Sequence, residues 1–526
     1  MTGYTTSAAV AIAPLSNDEA AQLFQAYDAA KKKRMIMESL FSECYDWTLP
    51  ARSAWFGGSQ GQPRTDHIFD ETACVSVQEF ASRLATGLFP AFRRWADLRP
   101  GSDVVEGDKV AISQELEVIS KVLFEAIDAS NFAQEIHEAL LDLAVSTGIL
   151  LIEAGADGGL QFTALPMPAV VLDVGPNDQV DALFRELERK IAHLEILWPG
   201  RVKLPRELET RMRRDPEATV KLIEICRRDW IEGVETYDYR VLEWSTRQIL
   251  VSGTYKGEGS CPFVAFRFSK AAGEVWGRGP VINALPAIRT CNFVQRLVLE
   301  NADMAIAGIW QAEDDGVLNP DTVSLVPGTV IPKGAGSGLQ PLKPAGQFDV
   351  STFVLKDQRA AIKKALYNET LGPREGTPMS ATEVNERIAD LARQMGSAFG
   401  RLQSEAVQPI LRRCLYLLAE AGRIMLPRVG SKLVEIRSSS PLARDQEMAD
   451  VVGVDRWLEI LMNRYGPQMV NLLSDSQAIA EFTAQKLGVP PSLVRSKLAQ
   501  QKLAATVQSL AGQANAAAPP PEGGLP

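Results

Sequence analysis

The N-terminal part of the chain places apolar residues three, four or seven positions apart, which is the spacing of one buried helical face. The first such run follows Ser16-Asn17-Asp18-Glu19. This is a capping box, in which the Ser and the Glu three residues later satisfy free backbone N–H groups. It predicts a helix that ends before Pro50 and shows the basic run Lys31 to Arg34 to solvent or a partner. Three further helices are predicted around residues 77–88, 112–123 and 132–140.

The period changes at Gly148, and Asp157-Gly158-Gly159 is a strong turn signal between two short apolar runs. The predicted strands are Leu150–Glu153, Leu160–Leu165, Val170–Val174 and antiparallel strands within Gly233–Phe268. Residues 182–228 are predicted to be helical, with a break at Pro199-Gly200. The N-terminal half is therefore predicted to be α+β.

Two long helices separated by a small insertion are predicted next. Gly279-Pro280 opens the first, since Pro suits the first turn of a helix. Its apolar spacing continues for about 27 residues, or roughly 40 Å. Residues 311–350 are rich in Gly and Pro and contain one convincing strand, Thr329–Pro332. The second long helix is predicted from about Ser351 to Leu371.

The C-terminal part is predicted to be helical after an irregular loop. Gly372 to Pro378 cannot form regular helix, and Ser380-Ala381-Thr382-Glu383 is a second capping box. Pro409 must kink or interrupt the helix that follows, which then resumes as far as Pro427. The later helices are predicted at Asp445–Tyr465, Ser476–Leu487 and Ser492–Leu510. The low-complexity run from Ala514 to Pro526 is predicted to be disordered.

Composition narrows the class of protein. The chain has 526 residues, of which 46% are apolar and 23% charged, as in ordinary globular proteins. Its net charge of −10 argues against a broad basic surface that binds nucleic acid. The N-terminus lacks a basic signal region, and the longest apolar stretch, Leu143–Ile152, is about half a bilayer span. The six cysteines form no CxxC pair, so we expect reduced core residues, a reducing compartment and no membrane.

Candidate chemical motifs are incomplete. His137-Glu138 begins like a zinc motif, but Leu141 stands where the second ligand is needed. The glycines of 334–338 are not followed by a helix that would hold a phosphate, and Glu313-Asp314-Asp315-Gly316 lacks the later ligands of a calcium loop. The chain has no Walker motif and no GxSxG elbow. We therefore predict no catalytic residue, cofactor or metal, and no enzyme activity.

Two basic groups remain as candidates for contact with a polyanion. Phe89, Phe92, Arg93, Arg94 and Trp95 interleave aromatic and basic side chains, but their place at a helix end favours packing. Lys356, Arg359 and Lys363 lie on one face of the second long helix, because their spacings are three, four and seven. A solvated stripe is the alternative interpretation.

Several segments, in this order, resemble the head-to-tail connector, or portal, proteins of short-tailed, T7-like bacteriophages. They are Phe69-Asp70-Glu71-Thr72-Ala73, Leu84–Pro90 with Trp95, Gly277-Arg278-Gly279-Pro280 with Ala284-Leu285-Pro286 and Asn292, Ser440–Arg444, Gly488-Val489-Pro490 and Val494-Arg495-Ser496. The match spans roughly residues 16 to 500. No single motif is decisive, but order and spacing together are specific.

The resemblance implies a predominantly helical α+β portal fold that assembles as a ring, usually of twelve identical subunits. By family order the chain divides into a flexible N-terminus (1–15), an α+β wing (16–277), a first stem helix (278–306), a clip (307–350), a second stem helix (351–371), a tunnel loop and wing helix (372–430), a helical crown (431–511) and a disordered tail (512–526). A ring repeats each side chain around an axis, so single cations become rings of charge.

The resemblance also implies a function and partners. Such rings occupy one capsid vertex, conduct double-stranded DNA during packaging and ejection without sequence specificity, and join head to tail. The implied partners are the terminase motor, the major capsid and scaffolding proteins, and tail adaptor and ejection proteins. The implied location is the virion, after synthesis in the host bacterial cytoplasm.

Candidate site residues follow from the family order. The tunnel-loop candidates are Arg374, Glu375 and Thr377; the stem candidates are Lys356, Arg359 and Lys363; the clip candidates are Lys333 and Lys343. Two other classes stay open: a hydrolase, which the missing nucleophile and metal constellations oppose, and a non-portal helical scaffold or adaptor protein of a large assembly. A monomer near the mass of one chain would exclude the portal interpretation.

Overall fold

The computed structural model describes residues 17–52, 65–101, 106–155, 158–231, 234–307, 310–311, 340–341, 348–368, 395–425, 434–438 and 441–487. Within these ranges the helices are α1 Asn17–Thr48, α2 Thr72–Leu88, α3 Glu106–Asp128, α4 Phe132–Val145, α5 Leu194–Leu197, α6 Arg206–Arg214, α7 Pro280–Ala307, α8 Phe348–Ala365, α9 Ser397–Leu402, α10 Gln408–Glu420, α11 Pro441–Leu473 and α12 Ser476–Leu487.

The strands of the described residues are β1 Ala96–Pro100, β2 Thr147–Ala154, β3 Leu160–Ala164, β4 Val170–Val174, β5 Val180–Lys190, β6 Thr219–Ile231, β7 Val234–Glu243, β8 Ile249–Lys256, β9 Phe263–Arg267, β10 Trp310–Gln311, β11 Gln340–Pro341 and β12 Val434–Ser438. They form a five-stranded sheet of order β4-β5-β6-β7-β8, a three-stranded sheet of order β3-β2-β9 and two strand pairs, β1-β12 and β10-β11. The predicted α+β class is confirmed.

The five-stranded sheet is buried on both faces. Successive side chains of β6 alternate between the faces, so Ile223 and Ile225 pack in a cluster with Phe24 and Tyr27 of α1. Leu222 and Cys226 of the same strand belong instead to the main hydrophobic core. The first helix therefore covers one face of the sheet, and the rest of the globular part covers the other.

The helical prediction for residues 182–228 is wrong at both ends of the range, whereas the predicted break at Pro199-Gly200 does lie between two short helices. Strands β5 and β6 occupy the two ends of this range, and the 3-10 turn Ile191–His193 and the short helices α5 and α6 lie between them. Strand β5 is rich in Arg and Glu, which favour helices in isolation. Pairing overrides that preference: β5 hydrogen-bonds to β6 in register from Ala182↔Arg227 to Lys190↔Thr219, and Arg185 forms an ion pair with Glu224 at 3.2 Å.

Lys32 and Lys33 of the basic run of α1 are exposed as predicted, but Lys31, Lys33 and Arg34 also contact the sheet, which was not predicted. The Lys31 ammonium lies 2.9 Å from Glu186, and the Lys33 ammonium lies 2.8 Å from Asp173. The buried Arg34 donates hydrogen bonds to carbonyl oxygens at the start of β4. These cations hold α1 onto the sheet.

The main core lies between the three-stranded sheet, α2 and α4. The predicted reversal between the two strands is confirmed, because β2 pairs with β3 and Gly158 has a φ of 70°, whereas Asp157 lies outside the described residues. An aromatic cluster of Phe89, Trp95, Phe124, Phe132 and Phe162 joins the helices to the sheet. The favoured packing role is confirmed for Phe89 and Trp95, which are both buried, but it is wrong for Phe92, which is 82% exposed.

The long helices α7 and α8 pack against each other. Helix α7 begins at Pro280 as predicted and tolerates Pro286 within it. Helix α8 ends at Ala365, before the predicted Leu371. The reason is a Schellman turn: Tyr367 has a φ of 57°, its N–H donates to Lys364, and the Asn368 N–H donates to the Lys363 carbonyl oxygen at 2.7 Å.

The predicted interruption at Pro409 is confirmed. A single π-helical turn, Gln403–Val407, separates α9 from α10 directly before this proline. Pro409 has no N–H to continue the α-helical pattern, and an inserted wider turn accommodates the loss. Helix α10 ends at Glu420, earlier than the predicted Pro427.

The C-terminal helices agree with the prediction in the described range. Helix α11 includes the predicted Asp445–Tyr465 and is broken at Gly466, where φ is 77°, and α12 matches Ser476–Leu487. Strand β12 was not predicted; it lies in the range expected to be helical and pairs with β1 in the register Ala96↔Ser438. No described helix is long and apolar enough to cross a membrane.

Several predicted features lie outside the described residues. They are the N-terminus to residue 16, Glu313–Gly316, the strand Thr329–Pro332, the glycines of 334–338, the loop Gly372–Pro378, the capping box 380–383, the helix Ser492–Leu510 and the tail 514–526.

Candidate functional site

The candidate site is the pair of long helices and the place where they join the globular part. We call α7 and α8 the rods, and we call their contacts with residues 67–70 and with the end of α4 the rod base. Both rods carry residues that the sequence singled out. The rod base determines how they project from the sheets and helices around it.

Asn292 of α7 fixes the segment before α2 to the rod. Its side-chain oxygen accepts hydrogen bonds from the backbone N–H groups of Phe69 at 2.6 Å and Asp70 at 3.1 Å. Its side-chain nitrogen donates to the carbonyl oxygen of His67 at 2.9 Å. Both the oxygen and the nitrogen of this buried side-chain amide are hydrogen-bonded, so Asn292 fixes residues 67–70 to α7.

Asp70 joins α8 to the same segment. Nε and Nη2 of Arg359 donate to Oδ2 of Asp70 at 2.8 and 2.6 Å, and the Thr72 N–H donates to Oδ1 at 3.0 Å. The Arg359 guanidinium also lies 3.4 Å from the side-chain oxygen of Gln295 on α7. Burial acts to raise the pKa of Asp70, but the hydrogen bonds from Thr72 and Arg359 outweigh it and hold that pKa below its usual range.

The basic stripe of α8 is therefore divided in two. Arg359 is half-buried and bound within its own chain, whereas Lys356 and Lys363 are exposed. Neither lysine has an ion-pair partner in the part of the chain that the structure describes. Of the three stem candidates, these two remain available to a partner.

The rod base also depends on close backbone contact at Gly277 and Gly279. The Gly279 N–H donates to the Val145 carbonyl oxygen at 2.9 Å. A Cβ atom on Gly279 would overlap the carbonyl oxygen of Ala144, and one on Gly277 would overlap that of Ser146. Only glycine allows the start of α7 to approach the end of α4 this closely.

The opposite end of α8 is tied to α2. Nη1 of Arg83 donates to the Tyr367 carbonyl oxygen at 3.0 Å, and Nδ2 of the buried Asn368 donates to the Ser76 carbonyl oxygen at 2.6 Å. The roles of these residues and of Asp70 were not found from the sequence. The signal available was a polar residue inside an apolar helical pattern, as at Asn292.

The rods expose large apolar side chains. Phe293, Leu297 and Leu299 of α7 are 60%, 46% and 47% exposed, and Phe353 of α8 is 67% exposed. Such side chains along a rod are typical of a surface that another chain covers.

The described residues contain no cluster of His, Cys, Asp and Glu that could hold a metal ion. Burial lowers the pKa of His137, which lies on α4 and has no second histidine beside it in sequence. All six cysteines are free; four are buried as predicted, but Cys74 and Cys261 are only partly buried.

The tunnel-loop candidates Arg374, Glu375 and Thr377 and the clip candidates Lys333 and Lys343 lie outside the described residues. Of the sequence-predicted site residues, the structure describes Lys356, Arg359 and Lys363, which all lie on α8.

Comparison with known proteins identifies the family. A model of the bacteriophage head to tail connecting protein family matches residues 20–494. The chain belongs to this family. The match includes both rods and the rod base, so these elements are parts of the connector fold.

Two curated relatives of this connector are similar over nearly their full length. A probable portal protein of Bordetella phage BPP-1 is 22% identical over 93% of each chain. The portal protein of Escherichia phage T7 is 21% identical over 93% of this chain and 94% of the relative. The expected kinship with portal proteins of bacteriophages is confirmed.

Among solved structures, a chain in the virion of a native gene transfer agent particle is similar with a TM-score of 0.36 and 13% identity. A chain in the neck of an empty gene transfer agent particle has a TM-score of 0.34 and 15% identity. Each match covers 82% of this connector and 97% of the other chain.

Replacing Asp70 by Asn is expected to destabilise the connector by about 1–3 kcal/mol at neutral pH, because it removes the charge that Arg359 binds. Because the pKa of Asp70 is lowered in the folded chain, the stabilisation from its charge is present above about pH 4 and is lost as pH falls through the folded-state pKa. The deficit should therefore shrink in acid. Urea unfolding at neutral and acidic pH measures it. Asp66→Asn, at an exposed position nearby, is the control and should change little.

Replacing Gly279 by Ala is expected to destabilise the chain by more than about 2 kcal/mol, since the methyl group must displace backbone rather than a flexible side chain. Gly453→Ala on α11 is the matched control, because its Cβ would meet no atom within 4 Å. That control should be neutral or stabilising by about 0.5–1 kcal/mol. Equal unfolding midpoints for the two variants would contradict the role of the rod base.

Proposed function

We propose that this connector is a portal: a ring, of twelve copies as the resemblance implies, that forms the double-stranded DNA channel of a phage capsid vertex. The observation that carries the proposal is the family match over residues 20–494 together with relatives named portal proteins that align from end to end. In this role the chain acts by position and shape and not as an enzyme.

The exposed apolar residues of the rods support ring assembly. Helix α7 has 28 residues and is about 42 Å long, and its exposed Phe and Leu side chains would be costly to leave in water on a single chain. A head-to-tail contact repeated by rotation covers such residues on every copy at once. We place the rods side by side around the channel, with the rod base holding each at a fixed angle.

The charges of the rods suit a channel through which DNA moves. We propose that Lys356 and Lys363 face the bore or the neighbouring rod, while Arg359 positions α8 through Asp70. A ring of few free cations guides phosphate without holding it, because each neutralised phosphate adds affinity from counterion release. The net charge of −10 per chain keeps non-specific attraction low.

The remaining candidates complete the proposal. The loop with Arg374, Glu375 and Thr377 contacts or gates the DNA, and Lys333 and Lys343 lie in the clip. The proposed partners are the terminase motor, capsid and scaffolding proteins, and tail adaptor and ejection proteins. The chain is made in the host bacterial cytoplasm and ends in the virion.

The purified chain, of 57.4 kDa, is expected to form particles of about 690 kDa as twelve copies, visible as an annulus in negative stain. Phe293→Asp is expected to weaken assembly by about tenfold or more while leaving secondary structure intact. Ile196→Asp on α5, at a position 74% exposed, is the matched control for adding a surface charge. Compact monomers under all conditions, even with capsid proteins present, would reject the portal in favour of a helical adaptor.

Reversing the charge of the two free lysines, Lys356→Glu with Lys363→Glu, is expected to lower packaged DNA several-fold while rings still form. The variant adds repulsion for phosphate at every copy of the ring. Lys32→Glu with Lys121→Glu, on exposed positions of α1 and α3, makes the same net change away from the rods. Packaging assays on both variants decide the matter: equal DNA content would remove Lys356 and Lys363 from the channel.

A further inference from the structure

Two cysteines that are far apart in sequence lie side by side where the two large sheets meet. The Sγ atoms of Cys226, on β6, and Cys261, in the segment before β9, are 4.0 Å apart. Both are free thiols. Since β6 belongs to the five-stranded sheet and β9 to the three-stranded sheet, the pair spans the junction between them.

Backbone pairing on each side holds the two cysteines in place. Cys226 lies in the middle of its sheet, in register with Leu183 of β5 and Tyr239 of β7. The Cys261 thiol donates to the Phe263 carbonyl oxygen at 3.2 Å. The preceding Ser260 carbonyl oxygen accepts a hydrogen bond from Nη1 of the buried Arg413 at 2.7 Å. The backbone contacts on each side therefore hold the two sulfur atoms close together.

Small molecules can reach the pair. Both cysteines line a cavity of about 710 Å³ that is also lined by Ser404 and Arg412. Cys261 is the more exposed of the two, whereas Cys226 is 3% exposed. No other pair among the six cysteines, all of which lie in the described residues, has its sulfurs in contact.

The surroundings shift the pKa values of the two thiols in opposite directions. The hydrogen bond between the sulfurs, together with nearby Arg413, lowers the pKa of Cys261. The same hydrogen bond and burial raise the pKa of Cys226. The thiolate, which is the nucleophilic form, thus forms first on Cys261, the more exposed of the two cysteines.

We propose that Cys226 and Cys261 are a dithiol that a low-molecular-weight disulfide, such as glutathione disulfide, converts to a disulfide joining the two sheets. The Cys261 thiolate attacks one glutathione sulfur, forms a mixed disulfide and releases one glutathione thiolate. Cys226 then loses its proton and attacks the Cys261 sulfur, which releases the second glutathione. Two cysteine thiols and one glutathione disulfide give one cystine and two glutathione thiols.

The two sulfurs are close to bonding distance. A disulfide bond is about 2.05 Å long, so the sulfurs must approach each other by about 2 Å. The biological timing rests on the proposed function: a reducing bacterial cytosol keeps the pair as thiols, and a released virion meets oxidising surroundings. The chemistry of the pair itself does not depend on ring formation.

The experiment uses the full chain, folded, in its native assembly state. After incubation with glutathione disulfide and alkylation of free thiols, non-reducing peptide mapping should find the peptides of Cys226 and Cys261 linked. Cys44, Cys74, Cys291 and Cys414 should appear alkylated or as glutathione adducts and not linked to each other. The oxidised chain should melt at a higher temperature than the reduced chain, because the bond closes a long loop in the unfolded state.

Two serine variants sharpen the test. Cys226→Ser should leave Cys261 carrying one bound glutathione and should abolish the rise in melting temperature on oxidation. Cys74→Ser, which removes the other partly buried thiol, should keep both the link and the rise. A wild-type chain that stays unlinked while Cys74 reacts, or that links only after unfolding in urea, would overturn the proposal. Sizing of the same samples reports ring assembly separately, so neither result depends on the other.

Discussion

The arrangement of the rods depends on one constraint: at the start of α7 two glycines bring its backbone into direct contact with the backbone at the end of α4. Gly277 and Gly279 approach the last carbonyl groups of α4 so closely that no other residue fits. Helix α4 is itself fixed in the main core, since its last seven residues are all buried. The direction in which the rods leave the globular part is thus determined by steric exclusion first and by polar contacts second.

The cations of this chain divide into those that serve the fold and those that remain available. Lys31, Lys33 and Arg359 each meet a carboxylate of their own chain. Lys356 and Lys363 do not do so within the described residues. In the proposed ring, a negatively charged chain would need only a few free cations to contact DNA, because symmetry multiplies them. Pairing of the others prevents a broad basic surface from forming.

Local sequence rules predicted the parts of the fold that local physics controls. The start of α1 at Asn17, the proline at the start of α7 and the interruption at Pro409 all follow from backbone hydrogen bonding within a few residues. Strand β5 was missed because its Arg and Glu residues favour helix until β6 pairs with them, and β12 was missed because its partner lies near the other end of the chain. The Asp70–Arg359 pair is likewise a long-range contact that no spacing rule reveals.

The same distinction between local and long-range effects explains why the rods of a single chain expose large apolar side chains. Apart from Pro286 within α7, their helical pattern agrees with the local rules, yet Phe293 and Phe353 stay more than half exposed. Burying them within the chain would require the rods to fold back onto the sheets, and the glycine contact, Asn292 and the Asp70–Arg359 pair all resist that movement. A rigid base with an incompletely covered rod therefore favours association over rearrangement, because other chains can cover the apolar side chains without breaking any of these contacts.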